Sequence, residues 1–283
     1  MAKVVRHLNA ESTEFVKTFN KLMTSRAAWE IWADFVTFAA IAISNSVDKE
    51  NAEKREEEYL NTASKYKSEE MQIFSTLFYI VVNAFENNPE QDFLGDLYMA
   101  LELGNHWKGQ FFTPYCVTKV MAATAMDSLA GQVEEKGYIT VNDCACGAGA
   151  TLIAAANYAR DTLKENNLNW QNHIMFTAQD IDAVTAKMCY IQLSLLGCAG
   201  FVKVGDTFMD PMREGDDNTK YWYTPMWFSE VWYFRRLWYS FDRVLGTTKA
   251  KPPSTEEQKP ARLEIDLSGL FDKKEHYYDT GNS

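Results

Sequence analysis

Three aspartates and two glycines carry the chemistry that this sequence can do. Asp143 follows a short β-rich run, Tyr138 to Val141, and precedes Gly147 and Gly149 and then a helix-favouring segment, Ala150 to Lys164. Strand, glycine turn and helix, in that order, seat a nucleotide-type ligand over the first helical turn, whose free N–H groups face it. Glycine lets the backbone approach such a ligand closely. The Gly-x-Gly pattern alone does not decide the matter, because ordinary α/β turns use glycine as well. Asp180 ends the next β-rich run and is followed by Ile181 and Asp182. A carboxylate there can accept both hydroxyls of a ribose, with Ile181 against an adenine ring. Gly205-Asp206 ends a third run. Single aspartates are common turn formers, but three acid-tipped strands in succession match the rule that ligands bind at the carboxyl ends of strands in open sheets. A nicotinamide dinucleotide fits poorly. Leu152 stands where the third glycine of that fingerprint belongs, and Asp180 lies farther on than its usual acid.

These residues need a scaffold, and the chain divides into three parts to supply it. Residues 1–105 read as a helical N-terminal domain. Phe15, Phe19 and Leu22 recur at helical spacing, and a strongly apolar helix begins near Trp29 and continues to Ile43. The charge-dense stretch Asp48 to Glu70 reads as a solvated helical face or loop. Another apolar helix runs from Glu69 to Phe85, and a short amphipathic one from Gln91 to Leu103. Residues 106–246 alternate helices (Val117 to Leu129, Ala150 to Lys164, Asp182 to Leu196) with strands (Tyr138 to Val141, Ile174 to Ala178, Phe201 to Val204), which predicts βαβ units and a parallel sheet. Residues 247–283 form a linker and polar tail: Thr247 to Pro260 is rich in Lys, Pro, Ser, Thr and Glu, and Leu263 to Leu267 reads as one strand.

Bulk properties narrow the function. The chain has 283 residues, enough for one large domain or two small ones, and a net charge of −11. An acidic protein binds nucleic acid only through a local basic surface or a basic partner. The apolar run Phe35 to Ile43 is too short to span a bilayer, so no membrane association is expected. The five cysteines are odd in number and lack CxxC pairs or nearby histidines, which argues against disulfides and structural zinc, and no metal site is expected. A reducing cytoplasm suits such a chain.

Gly109-Gln110-Phe111-Phe112-Thr113-Pro114 precedes the first helix of the α/β part. Together with Asp143 to Gly149, this segment resembles the N6-adenine DNA methyltransferases found as modification subunits of type I restriction systems. Asp92 to Tyr98 is similar to the family's D-x-L-G-x-x-Y helix, Gln179 to Asp182 to its second acidic motif, and Gly205-Asp206-Thr207 to its G-D-[ST] motif. The resemblance covers roughly residues 70–210. It implies a Rossmann-like α/β sheet binding S-adenosylmethionine, with the N-terminal helical domain beside it. By the same resemblance, Phe111, Phe112, Thr113 and Pro114 roof the cofactor, and Phe112, Thr113, Asp143, Gly147 and Gly149 meet its methionine end. Asp180 takes the ribose, Ile181 flanks the adenine and Asp206 takes the adenine amino group.

The family's catalytic [ND]-P-P-[FYW] motif is absent. Thr224-Pro225-Met226-Trp227, after the apolar run Tyr221 to Tyr223, is the candidate replacement, with Thr224 as acceptor and Trp227 as the stacking ring; Asp210-Pro211-Met212 lies in a polar loop and reads as structural. A hydroxyl in place of an amide or carboxylate costs about 3 kcal/mol of stabilisation at the reacting amine. The sheet also reads as truncated on its C-terminal side, which leaves DNA sequence choice to a protein partner or homo-oligomer. Residues 220–251 hold six basic side chains against two acidic ones amid many aromatics. That block reads either as packing at the sheet end or as a surface for DNA bases or a partner. Two functions stay open: a methyltransferase within an assembly, and a catalytically dead relative acting as a regulator, decoy or anti-restriction-type binding protein.

Overall fold

The computed structural model describes residues 9–24, 26–103 and 112–245. Five helices come first: α1 (Ala10–Phe19), α2 (Ala28–Val47), α3 (Ala52–Ala63), α4 (Ser68–Asn87) and α5 (Phe93–Ala100). Asn9 caps α1, its side chain accepting from the Ser12 N–H at 2.7 Å. The central part of α2 is apolar on most sides because it is buried on most sides, from Ile31 and Trp32 through to Ile43. Two helices, α6 (Tyr115–Ala125) and α7 (Leu129–Lys136), lead into strand β1 (Ile139–Asp143). Then α8 (Ala150–Glu165), β2 (Ile174–Asp180), α9 (Ala183–Leu195), β3 (Ala199–Val204), β4 (Tyr221–Tyr223) and α10 (Glu230–Leu245) complete the described chain.

The strands lie in the order β1-β2-β3-β4. β1, β2 and β3 are parallel, as the helix-strand alternation predicts. Alternate residues of one sheet face, among them Ile174, Phe176, Ala178 and Val202, are buried in the main core. That face meets α8 and α9, and α2 packs on α9 as an outer layer. One hydrophobic cluster therefore runs from Phe15 and Trp32 through Phe74 and Leu94 to Leu152, Phe176 and Ile191. The change from helices to βαβ units near residue 105 does not interrupt it.

Two expectations need correction. The helix foreseen over Val117 to Leu129 ends at Ala125, and α7 continues to Gly137, whose φ of 81° closes it in the left-handed conformation. β4 pairs antiparallel with β3, not parallel. No helix crosses over between them; a loop returns the chain along the same edge. The linker 247–260 and the strand at Leu263 to Leu267 lie outside the described residues.

Two buried cations hold that returning edge. Lys203, wholly buried on β3, donates to Asp210 at 3.0 Å, to Asp216 at 2.6 Å and to the Pro211 carbonyl at 3.0 Å. All three ammonium protons are thereby used. Burial opposes the charge of Lys203, but its bonds to Asp216 and Asp210 outweigh burial and its pKa is raised. Arg55 of α3, buried with Asp48, bonds that carboxylate at 2.7 Å and the Tyr221 carbonyl of β4 at 2.7 Å. Its guanidinium also lies 4.2 Å from the Trp222 ring centroid. The charge-dense stretch is therefore not wholly solvated: Arg55 and Tyr59 face inward.

Arg55→Ala leaves Asp48 buried without its ion partner, and the expected loss is about 3–5 kcal/mol in urea unfolding. Asp48→Asn in the same background should recover part of it; a loss below 1 kcal/mol (roughly the worth of an exposed pair) would show that the pair does not bolt α3 to β4. Asp216 gives a pH test. Its bonds from Lys203 and Tyr221 hold its pKa far below the ordinary aspartate value. The stability it contributes is present above the ordinary value and is lost as acid brings pH down through the depressed one. Lys203→Met should flatten the acid limb of the thermal-melt profile below about pH 4, where free aspartate titrates.

Candidate cofactor cavity

The site grows from the ends of β1 and β2. After Asp143 the chain turns through Gly147, with φ 52°, and Gly149, with φ 98°, into α8. A Cβ at Gly149 would stand 2.8 Å from the Cys189 sulfur, and one at Gly147 would stand 3.1 Å from the Phe112 ring. Glycine is thus required by conformation and by space together. Asp180 fixes the turn: its Oδ2 accepts from the Gly147 N–H at 2.8 Å. Its Oδ1 accepts from the Asp182 N–H at 2.9 Å and the Thr185 hydroxyl at 3.0 Å.

A cavity of about 300 Å³ opens over this turn. Asp92, Asp143 and Asp180 line it together with Phe112, Thr113 and Ile181. The turn residues Ala145 to Ala148, the first α8 residues Ala150 and Thr151, and Thr185 complete the wall. Phe112 forms the roof and leans on Tyr98 of α5, ring centroids 5.4 Å apart. Asp92 caps α5 and accepts from the Gly95 N–H at 3.1 Å and the Gln192 amide at 2.8 Å. Ile181 is 70% exposed, an apolar side chain held in the open at the rim.

The electrostatics are one-sided. Among the described residues, three carboxylates and no lysine or arginine line the cavity. Free N–H groups at the α8 N-terminus supply its positive potential. Cys146 forms part of the floor; its hydrogen bond with Cys189, together with burial, pushes its thiol pKa well up, so it stays a neutral thiol. No group of His, Cys, Asp or Glu side chains among the described residues could hold a metal ion. No helix among the described residues is long and apolar enough to cross a membrane.

The structure gathers some of the anticipated residues and separates others. Phe112, Thr113, Asp143, Gly147, Asp180 and Ile181 meet at the cavity. Gly149 stands at the N-cap of α8 and Pro114 at that of α6, both just outside the wall. Asp206 turns its Oδ1 into its own loop, accepting from Phe208 N–H at 2.8 Å and Met209 N–H at 3.2 Å. Gly109, Gln110 and Phe111 lie outside the described residues. Two of about four acceptor positions on Asp180 are filled by main-chain N–H groups, and the Thr185 hydroxyl divides its single proton between Asp180 and the Asp182 carbonyl at 3.1 Å.

Thr224, Pro225 and Trp227 do not reach the cavity. Thr224 is fully buried; its hydroxyl accepts from the Gly200 N–H at 3.0 Å and donates to the Cys198 carbonyl at 2.7 Å. Those partners are at the amino end of the parallel strands, roughly 16 Å of strand length from Asp180. Pro225 is buried, and Trp227 packs edge-on to Phe201 at 5.4 Å with the Arg236 guanidinium 4.1 Å from its centroid. The anticipated basic surface also shrinks. Arg235 is buried against Trp232 and the Asn172 carbonyl, and burial lowers the pKa of Arg236. Lys249 and Lys251 lie outside the described residues.

The sequence profile described as N-6 DNA Methylase matches residues 90–252, more than half of the chain. The chain belongs to the N-6 DNA methylase family. Among curated proteins no sequence match is found. The family match spans every described element that lines the cavity, from Asp92 to Thr185. Asp92, Thr151 and Thr185 had no assigned site role from sequence. Its place at the head of the D-x-L-G-x-x-Y segment was the signal available for Asp92.

Gly149→Ala places a Cβ in a strained conformation against Cys189. The expected cost is about 1–3 kcal/mol, read as a lowered melting temperature. Gly149→Ala combined with Cys189→Ala should recover the steric part only.

Proposed function

We propose that the chain binds S-adenosylmethionine over the ends of β1 and β2 and serves adenine-N6 methylation of DNA within an assembly. The carrying observation is the cavity under Phe112, lined among the described residues by three carboxylates and no basic side chain, in a chain of this family. S-adenosylmethionine brings a sulfonium and an ammonium to such a site, which suits carboxylates. Its own carboxylate suits the free N–H groups at the start of α8. Among the described residues, nucleotide phosphates would meet three acids and no basic side chain. When bound, this cofactor supplies an electrophilic methyl group.

In this reading Thr113, Asp143 and the Gly147–Gly149 turn orient the methionine end, with Phe111, Phe112 and Pro114 as roof. Asp180 accepts the ribose hydroxyls at its remaining positions, Ile181 packs on the adenine, and the Oδ2 of Asp206 receives the adenine amino group. The sheet serves as the cofactor half of a Rossmann-like methyltransferase. Target choice falls to a protein partner, for which Tyr233, Phe234 and Leu237 offer an exposed apolar face on α10. The free thiols suit a reducing cytoplasm.

A second reading has its own support. The Thr224 hydroxyl is spent on β3, so Thr224-Pro225-Met226-Trp227 presents no acceptor to a target amine. A protein that holds the cofactor without transferring methyl, acting as a regulator or decoy, satisfies that observation. Calorimetry with S-adenosylmethionine, run beside transfer of radiolabelled methyl to mixed-sequence DNA, distinguishes the readings. Binding with transfer supports the enzyme, binding without transfer the regulator, and absence of binding rejects both. Asp180→Ala should weaken binding by about tenfold or more, ~1.4 kcal/mol; unchanged affinity would remove its ribose role.

A further inference from the structure

One face of α9 touches the cavity wall at three successive heights. Thr185, Cys189 and Gln192 stand at i, i+4 and i+7, which sets them on one side of the helix. The Thr185 hydroxyl lies 3.0 Å from Asp180 Oδ1. Cys189 packs against Gly149 and shares a hydrogen bond with Cys146. The Cys146 thiol lowers the pKa of Cys189, but burial and the charges of Asp143, Asp180 and Asp92 outweigh it, and the pKa is raised. All three cavity carboxylates therefore act on this one side chain.

Gln192, the last of the three, is wholly buried, and both of its amide protons are used. One goes to Asp92 Oδ1 at 2.8 Å and the other to the Ala148 carbonyl at 2.7 Å, partners 100 and 44 residues away in sequence. Its Oε1 accepts from the Leu94 N–H at 3.0 Å. Asp92 is itself 3% exposed and lines the cavity. Burying a carboxylate is costly unless donors face it, and Gln192 and the Gly95 N–H supply two. On its other side Asp92 is wedged against Gly95, where a Cβ would run into Oδ2. The place of this carboxylate is set by the protein before any ligand arrives.

We propose that Gln192 is a positioning residue for the methionine end of the cofactor: its amide fixes the Asp92 carboxylate and the Ala148 carbonyl relative to each other, and so sets where the ligand's ammonium group is received. This inference rests on the cofactor reading and adds to it a residue that touches no ligand. Asp92 caps α5, the helix whose Tyr98 supports the Phe112 roof, and the roof covers the methionine end in that reading. Ala148 directly precedes Gly149, the N-cap of α8. The same amide thus steadies the main chain whose free N–H groups face the ligand's carboxylate. Through Gln192 the helices before residue 105 take part in the site, because Asp92 and Leu94 both belong to the start of α5.

Calorimetry on the full chain tests it with two ligands, S-adenosylmethionine and 5′-methylthioadenosine, which lacks the amino-acid end. Gln192→Leu should weaken S-adenosylmethionine by about tenfold or more, the worth of a lost hydrogen bond to a charged group, and methylthioadenosine by less than about twofold. Gln192→Glu keeps an acceptor for the Leu94 N–H and presents acceptors in place of both donors; it should separate the ligands in the same way, and it serves where the leucine variant does not fold. Asp92→Asn should also weaken S-adenosylmethionine selectively. The loss in Gln192→Leu combined with Asp92→Asn should fall short of the product of the two single losses, because both changes act on one carboxylate. Equal weakening of the two ligands, unchanged affinity in folded variants, or fully independent losses in the double variant would overturn the role of Gln192 and leave the cofactor reading standing. An unmodified chain that binds no S-adenosylmethionine would overturn the cofactor reading and this inference with it.

Discussion

The bond from the Gly147 N–H to the Asp180 carboxylate, 2.8 Å long, is the constraint on which the site depends. It ties the end of β2 to the turn after β1 and holds Gly147 in a conformation that L side chains rarely adopt. Because Gly147 has no side chain, the Phe112 ring can close over the turn and form a roof. The turn in turn sets where α8 begins and where its free N–H groups point. A further bond extends the same link to the third strand: the Thr207 hydroxyl donates to the Cys144 carbonyl across the end of β2. Three separate strand ends become one rigid rim through main-chain and side-chain bonds that need no ligand.

The opposite edge is built on different physics, and the two are linked through charge. Lys203 and Arg55 are both buried and both fully engaged, one pinning the Asp210–Asp216 loop, the other bolting α3 to β4. Burying a cation is costly unless it is paired and hydrogen-bonded, and both are. Arg235 and Arg236 are likewise turned to a carbonyl or onto a ring. The chain has 28 lysines and arginines against 39 aspartates and glutamates, and it spends several of those cations on architecture. Among the described residues the cavity keeps its acids and receives no basic side chain.

Much of this was legible in the sequence, for a local reason. Ile174 to Ala178 and Asp182 to Leu196 announce themselves by β-branched runs and helical spacing; the structure extends the strand to Asp180 and sets the helix at Ala183–Leu195, one residue shorter at each end. Asp143, Gly147 and Asp180 were found because strand-end acids and glycine turns are short-range patterns. Position within the sheet is a long-range property, and there the reading failed. Thr224-Pro225-Met226-Trp227 follows an apolar run just as a catalytic turn would. Only the bonds of Thr224 to Cys198 and Gly200, some 24 to 26 residues back, put it at the wrong end. Arg55 was hidden for the same reason: nothing near it in sequence reveals that Tyr221, 166 residues on, needs a donor.

The two central carboxylates differ in what they have left to give. Asp180 has filled two acceptor positions with the Gly147 and Asp182 N–H groups and shares the Thr185 hydroxyl with the Asp182 carbonyl. Asp143 has filled one, with the Ala145 N–H at 3.1 Å. A carboxylate offers about four, so the donors of any incoming molecule are divided unequally, most of them toward Asp143. Asp180 serves first as a strut and only second as a contact. A ligand with a cation near β1 and hydroxyls near β2 matches that division, because a second hydroxyl on Asp180 displaces only the Thr185 hydroxyl, which keeps the Asp182 carbonyl as its acceptor, and leaves the Gly147 strut in place.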